Sequence, residues 1–565
     1  MCDKLVYDLS QEIDGSPNIF VRKDWISILD NMNGNYQANQ SVIDTSQLTN
    51  SNKWMNYREG YLTVPMLLTA YWANALAVDA FTPYDYTCGL KNWFGSIVHS
   101  ITVEYNGTTI IQQTPFVNMW NVFKLLTSFS YQDILTQGSV IGFYPDDPLS
   151  WSYYDTASVS GRGFVNNNID EDFDRVNTDL INNTYDVVNE GLYYRIRNIA
   201  FRADSGKGNT NYANSIGMTA DKASQIWKSQ LVKSVGVNGV SYPQIQYSIL
   251  GVIHLKHLCD FFDKLSLLKG AFMKITLNLN NATANVDCTN AAPGLMTYAD
   301  GATPVGGICP ILIPSTLDGN TWITGQPGTL KTNLSIGSRF IGNTEQYFVP
   351  GTGKVGDNIL LNVPAYTFNP SFIDAYLSSS PKMINYTDVY QYQVDVAANE
   401  GNINRLITNG IANIKSILVI PFYAPIAGVF EKVQYMSPFD SSGAGTTGPC
   451  VELNNFQIQV SGQNAIYNTQ RYSYEAFVNQ LYGQNAVNGG LTDGLTSGLI
   501  DYIGWQNAYH YYYVNIERML PVEKSVPKSI QLQANNLNGK ALTLMVFIEY
   551  ENSMTFDLAT GARVA

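Results

Sequence analysis

Apolar and polar residues alternate with a period of two at several places in this 565-residue chain. Within 97–105, one face carries Ile97, His99, Ile101, Val103 and Tyr105, and the other carries Ser100, Thr102 and Glu104. This alternation predicts a half-buried antiparallel strand. Segments 390–396 and 456–461 repeat the pattern, whereas 541–550 is almost continuously apolar, as is typical of a central strand in a sandwich.

Turn signals divide these strands. Asn106-Gly107 and Asn538-Gly539 are typical of hairpin turns. Many short strands separated by turns predict an all-β sandwich or barrel. The most apolar stretch, 62–78, contains Pro65 and Asn74, and it predicts a buried strand followed by a helix rather than a membrane span.

Helices are expected to be few and short. Residues 115–126 place Phe116, Met119, Trp120 and Phe123 on one helical face. Residues 259–269 predict a second helix, which Gly270 would end as a left-handed cap. Two polar stretches of low periodicity, 138–189 and 281–327, predict long surface loops.

A faint internal repeat relates the two halves of the chain. Strand 101–103, the turn at Asn106-Gly107 and an aromatic helix through Phe123 form one unit. Strand 458–460, a turn at 462–464 and an aromatic stretch through Phe477 form the other. With 378–381 as a linker, the repeat predicts two sandwiches in tandem, 1–377 with both long loops inserted and 381–565.

The charge balance bears on which kinds of partner the protein can bind. Lys and Arg total 33 and Asp and Glu total 46, which gives a net charge of −13. An acidic chain lacks the cations that neutralise phosphates, so we expect no sequence-specific nucleic-acid binding. Charged residues are only 14% and tyrosines number 37. Because interface cores favour aromatic residues and exclude Lys and Glu, this composition favours self-association through broad interfaces.

The cysteines and the N-terminus indicate a reducing compartment. Neither a disulfide framework nor a zinc site is expected from the spacing of the six cysteines, Cys2, Cys88, Cys259, Cys288, Cys309 and Cys450. The first residues contain no apolar signal-peptide core, so we expect synthesis inside a cell without secretion through a signal peptide.

The sequence contains partial matches to catalytic and cofactor-binding motifs, but the neighbouring residues do not fit those motifs. The GxGxxG match at 443–448 is followed at once by Pro449, which favours a loop, and 351–354 lacks the full phosphate-loop spacing. No GxSxG elbow supports a hydrolase triad. Asp170, Asp172 and Asp174 imitate a calcium loop, but Arg175 and Ile181 stand where Gly and Glu are needed. We expect no catalytic residue, no cofactor and no metal.

The histidines and one arginine cluster have structural interpretations. His99 is expected to be a core histidine with one hydrogen-bond partner, and His510 to stack within the aromatic segment 509–513. His254, His257 and Cys259 lack the second ligand cluster that a zinc site needs. Arg195, Arg197 and Arg202 predict a solvated or interface edge rather than a nucleic-acid site.

Four segments carry a resemblance to a known family: 253–279 with its DFFDKLSLLKG run, 363–370 followed by 384–392, 406–421 with its TNGIANIKSILVIP run, and 555–561. In this order they resemble the double jelly-roll major capsid proteins of small eukaryotic DNA viruses, especially polinton-like viruses and virophages. The N-terminal half fits the family by pattern alone.

The resemblance implies an all-β fold of two eight-stranded antiparallel jelly rolls in tandem, with short helices and long surface loops. It implies a homotrimer that forms a pseudo-hexameric capsomer, icosahedral shells around double-stranded DNA, penton and minor capsid proteins as partners, location in the virion and no enzymatic activity. A two-domain carbohydrate-binding or carbohydrate-active sandwich protein is the alternative, and a β-rich fibre or adhesin is a third.

Overall fold

The computed structural model describes residues 19–32, 34, 36, 40–49, 51–72, 89–90, 92–143, 232–235, 241–280, 282–287, 311–312, 317–318, 321–322, 329–336, 358–423, 451–466, 472–481, 497–507, 509–516, 523, 525–537 and 539–564. Within these residues, no helix has the length and apolar character needed to cross a membrane.

The described residues before 370 form sixteen strands. They are β1 (Phe20–Leu29), β2 (Gln40–Asp44), β3 (Trp54–Met55), β4 (Tyr61–Trp72), β5 (Gly89–Leu90), β6 (Val98–Tyr105), β7 (Thr108–Ile111), β8 (Val232–Val235), β9 (Ser241–His254), β10 (Met273–Leu279), β11 (Ala282–Asp287), β12 (Ile311–Leu312), β13 (Leu317–Asp318), β14 (Thr321–Trp322), β15 (Thr329–Ile336) and β16 (Leu360–Phe368).

Eight of these strands form two facing antiparallel sheets. Sheet A has the order β1-β16-β4-β9, and sheet B has the order β2-β10-β6-β7. Numbered along the chain, the eight strands are therefore 1-8-3-6 in one sheet and 2-7-4-5 in the other. This is the strand order of a jelly roll, in which two Greek keys fold into two packed sheets. Beyond the end of β16, β4 pairs with β15, which pairs in turn with β11.

The C-terminal strands repeat this order. They are β17 (Lys382–Val396), β18 (Asn402–Ile411), β19 (Ile414–Tyr423), β20 (Asn454–Val460), β21 (Gln463–Asn464), β22 (Tyr512–Asn515), β23 (Lys528–Asn535), β24 (Leu542–Phe556) and β25 (Arg563–Val564). Sheet C is β17-β24-β19-β22, and sheet D is β18-β23-β20-β21. The predicted fold, two eight-stranded antiparallel jelly rolls in tandem, is confirmed by the two strand orders.

The helices are short, as predicted. They are α1 (Ser46–Thr49), α2 (Val117–Ser128), α3 (Tyr131–Asp133), α4 (Ser139–Ile141), α5 (Leu255–Leu258), α6 (Asp260–Lys264), α7 (Pro370–Leu377), α8 (Tyr474–Leu481) and α9 (Tyr502–Asn507), with 3-10 turns at Tyr57–Glu59 and Phe94–Ile97 and a π-helical turn at Ile134–Gly138.

The internal repeat corresponds to equivalent elements. The chain runs β6, β7, α2 in the first sandwich and β20, β21, α8 in the second. Asn106 and Gly107 turn the first hairpin with φ of 47° and 79°, and Ser461 and Gly462 turn the second with 51° and 81°. Both pairs have the two positive φ values that a tight type I′ hairpin needs. The second turn therefore begins at Ser461, one residue before the predicted position.

Other turn and helix predictions need correction. Asn538-Gly539 does not close a hairpin, because β23 and β24 belong to different sheets. The helix predicted over 259–269 is only α6, because Cys259 before it and Leu265 after it are extended; α5 precedes the predicted range. Gly270 has a φ of +75°, but it lies beyond the helix, where an added Cβ would approach the carbonyl oxygen of Thr560 to 2.8 Å.

The first predicted helix starts at Val117 rather than at 115. Phe116 precedes it in a left-handed conformation. The predicted strand in 62–78 is confirmed as β4, while 73–78 lies outside the described residues. The predicted loop 281–327 is partly wrong, because β11 continues the antiparallel pairing through β15. In the predicted loop 138–189, residues 138–141 are helical, residues 142–143 are not, and the rest lies outside the described part.

Candidate functional site

Several residues considered from the sequence lie outside the described part of the chain. They are Asp170, Asp172, Asp174, Arg195, Arg197, Arg202, and the glycine motifs at 351–354 and 443–448. Five of the six cysteines also lie outside it; Cys259 is described and its thiol is free. Among the described residues, no group of three or more His, Cys, Asp or Glu side chains could hold a metal ion.

The described histidines contact aromatic rings. His99 meets Phe116 edge-on at 4.7 Å between ring centroids, and His510 lies 5.0 Å from Trp505. The expected partner of His99 is missing at Nδ1, which is buried without a hydrogen bond. His254 and His257 lie 5.7 Å apart. Burial lowers the pKa of His257 to about 3, so this imidazole is neutral at physiological pH.

Several hydrogen bonds outside the sheets join the two sandwiches. The hydroxyl of Thr114 donates to the carbonyl oxygen of Val389 at 2.6 Å, and the hydroxyl of Tyr386 donates to that of Ile110 at 3.2 Å. The backbone N–H of Thr387 donates to the Asp260 carboxylate at 3.0 Å. These bonds fix β17 of the second sandwich against β7 and α6 of the first; we call this region the junction.

A buried carboxyl group lies at the centre of the junction. Asp388 is 7% exposed and accepts hydrogen bonds from the backbone N–H of Gln112 at 3.2 Å, from that of Val389 at 2.9 Å and from the hydroxyl of Tyr550 at 3.0 Å. Gln112 belongs to the first sandwich and the other two donors to the second. Burial raises the pKa of Asp388 to about 6, and these hydrogen bonds only partly oppose the shift.

Helix α2 of the first sandwich lies on the outer face of sheet C. Phe123 packs against Tyr511 at 5.2 Å and Tyr513 at 5.5 Å between ring centroids, and Trp120 lies 6.3 Å from Phe547. Lys124 approaches the buried carboxylate of Glu549 to 3.8 Å. Sheet D covers the inner face of β24 and α2 covers the outer face. This double coverage explains why 541–550 is almost continuously apolar.

The C-terminal segment, residues 557–562, contacts the first sandwich at the far end of the junction. The hydroxyl of Tyr105 and the side-chain amide of Asn106 both donate to the carbonyl oxygen of Gly561 at 2.7 Å. Gly561 has a φ of +66°, and a Cβ there would lie 2.6 Å from the backbone nitrogen of Ala271. Glycine is therefore required at 561 for both its conformation and its close approach.

A cavity of about 330 Å³ opens at the junction. Its lining includes Trp120, Lys124, His257, Asp263 and Asp388. The carboxylates are already engaged, since Asp263 accepts from Arg58 and Lys264 while Asp388 accepts the bonds described above. The cavity therefore combines charges of both signs that are largely satisfied by neighbouring protein groups.

Comparison with known proteins identifies likenesses of fold. No protein-family model matches the chain, and no curated protein matches it. A chain of the Sputnik virophage cryo-EM structure aligns with 98% of this chain and 91% of its own length, at 10% identity and a TM-score of 0.48. The mavirus major capsid protein aligns over 99% and 92% of the two chains, at 10% identity and a TM-score of 0.42.

The Faustovirus major capsid protein aligns over 98% of this chain and 94% of its own, at 9% identity and a TM-score of 0.43. The chain is a double jelly roll. That assignment depends on its own strand orders, 1-8-3-6 and 2-7-4-5 in each sandwich, because the overall superpositions are loose.

Proposed function

We propose that this double jelly-roll chain is a viral major capsid protein of the kind found in polinton-like viruses and virophages. In this proposal it assembles into homotrimers, each a pseudo-hexameric capsomer, and the capsomers tile an icosahedral shell around a double-stranded DNA genome. The observation that carries the proposal is the pair of complete jelly rolls locked together by a buried junction within one chain.

The junction suits a building block. Buried hydrogen bonds and the packing of α2 on sheet C hold two similar sandwiches in one fixed relation. Three chains then supply six sandwiches, which is the number needed for a ring with approximate sixfold symmetry. The low charge of the chain limits repulsion when many copies pack closely.

We also propose the extents of the two domains, the location of the protein and its partners. The first jelly roll comprises 1–377, with inserted segments near 138–189 and 281–327, and the second comprises 381–565. The protein is located in the virion after synthesis inside the host cell, it contacts penton and minor capsid proteins, and it has no catalytic role. The carbohydrate-binding alternative is not favoured. Among the described residues, the exposed aromatic side chains are spread over three elements: Phe20 and Trp25 on β1, Tyr131 on α3 and Tyr502 on α9.

Negative-stain electron microscopy of the purified protein tests this proposal. Class averages should show particles with a hexagonal outline and a central dimple. Small two-lobed particles at every protein and salt concentration would contradict it, and a screen of glycans would then test the alternative.

A further inference from the structure

The outer face of sheet A carries exposed apolar side chains. Residues paired across antiparallel strands point to the same side of a sheet. Register places Trp25 opposite Pro364, Asn362 opposite Tyr61, and Tyr61 opposite His254, so these side chains share one face with Leu250. Trp25 is 52% exposed, Leu250 is 62% exposed and Leu29, also on this face, is 57% exposed. We call this surface the Trp25 face.

The corresponding face of the second sandwich is covered. In sheet C the outer face includes Phe547 and Glu549 on β24 and Tyr513 on β22, and helix α2 of the first sandwich packs on it. Sheets A and C have the same strand order, so the Trp25 face is the equivalent of the surface that α2 covers. Within the described part of the chain, helix α7 packs on one end of that surface, where Tyr376 contacts Trp54 and Phe368. Trp25, Leu29 and Leu250 stay exposed.

The helix of the second sandwich that is equivalent to α2 is α8. In each sandwich the helix follows the fourth and fifth strands, as α2 does after β6 and β7, and α8 after β20 and β21. Ten of the twelve residues of α2 are buried, because α2 lies between its own sandwich and sheet C. In α8 two of eight residues are buried, Phe477 and Leu481, while Glu475 and Asn479 are exposed and Val478 is half-buried.

We propose that the Trp25 face of one copy receives helix α8 of a second copy, in the way that sheet C receives α2 within a chain. This inference rests on the proposed capsomer and specifies which surfaces join its chains. The contact is heterologous, because two different surfaces meet, and such contacts close into a ring when the rotation between copies permits. Three copies, each with one junction and one such contact, alternate the two interfaces around six sandwiches.

A charge placed on the Trp25 face should separate the copies. For Leu250→Arg we expect the mass measured by light scattering to fall from that of three chains to that of one. Asn479→Arg, on the exposed face of the opposing helix, should do the same. Leu537→Arg is the matched control, since Leu537 is 72% exposed and follows β23, away from both surfaces, and it should leave the trimer intact. Circular dichroism melts of all three should match that of the natural protein.

A trimeric natural protein whose Leu250→Arg and Asn479→Arg variants are also trimeric would overturn this inference and leave the capsomer proposal standing. A natural protein that is monomeric throughout would remove the capsomer proposal and this inference with it.

A photo-cross-linking residue at position 25 identifies what covers the face without disrupting it. In a mixture of ¹⁴N- and ¹⁵N-labelled chains, we expect cross-links between differently labelled chains, to peptides that contain 474–481. Cross-links within one chain, to 1–18 or 144–231, would overturn the inference in favour of self-coverage. Cross-links to the Trp25 face of another copy would overturn it in favour of a two-fold contact.

Discussion

At the residue scale, Phe123 joins the two sandwiches through one buried side chain. It is 1% exposed and contacts rings of the second sandwich from a helix of the first. Phe123→Ala should lower the free energy of unfolding by about 3–5 kcal/mol, because it leaves a cavity between the two sandwiches. Phe477→Ala, at a site with 0% exposure, should cost a similar amount. Urea denaturation measures both.

The exposed Tyr131 provides the control, since truncation there should change the free energy of unfolding by less than about 0.5 kcal/mol. A loss below about 1 kcal/mol for Phe123→Ala would show that the ring is not part of a closely packed interface.

Asp388 should make the stability of the chain depend on pH. Its pKa is about 6 in the folded state and about 3.9 in an unfolded chain, so the folded state binds the proton more tightly. The resulting stabilisation is complete below about pH 4 and is lost as pH rises through about 6, with a total of about 3 kcal/mol. Comparing thermal melts of the natural protein with those of Asp388→Asn isolates this contribution. Between pH 7 and pH 5 the natural protein should gain stability relative to the variant, and parallel pH profiles would contradict the assignment.

At the scale of elements, the sequence predicted strands better than helix ends. The strands over 97–105, 390–396, 456–461 and 541–550 are present as β6, β17, β20 and β24. A period of two is a local signal, and it remains when an element is covered on one face. The helix predicted over 259–269 failed because Cys259 is extended and the chain leaves the helical path at Leu265 to approach the C-terminal segment. That contact is distant in sequence and leaves no local pattern.

The C-terminal segment offers a matched pair of glycine substitutions. Gly561 and Gly107 both have positive φ, of +66° and +79°, but an added Cβ at Gly107 meets nothing within 4 Å. Gly107→Ala should cost about 1–2 kcal/mol from conformation alone. Gly561→Ala should cost at least about 1 kcal/mol more, because it also displaces the segment from Ala271. Faster amide hydrogen exchange at 557–562 in Gly561→Ala, but not in Gly107→Ala, would accompany the loss. Equal behaviour of the two variants would show that the close approach does not matter.

At the scale of the whole molecule, the internal repeat was the informative signal for the fold. It predicted two similar sandwiches, and the equivalent hairpins at Asn106-Gly107 and Ser461-Gly462 show why such a faint repeat was detectable. The junction was not predicted. Asp388, Glu549 and Gly561 meet residues more than 150 positions away, and no spacing rule connects them. The almost continuous apolar run of 541–550 was the one available sign that a strand was covered on both faces.

The most direct test of the account is the mass of the purified protein in solution, measured by multi-angle light scattering over a range of concentrations. One chain has a mass of 62.6 kDa. The account predicts a stable species of three times that mass, without intermediates that change with dilution. A monodisperse species of one chain at every salt and protein concentration would contradict it.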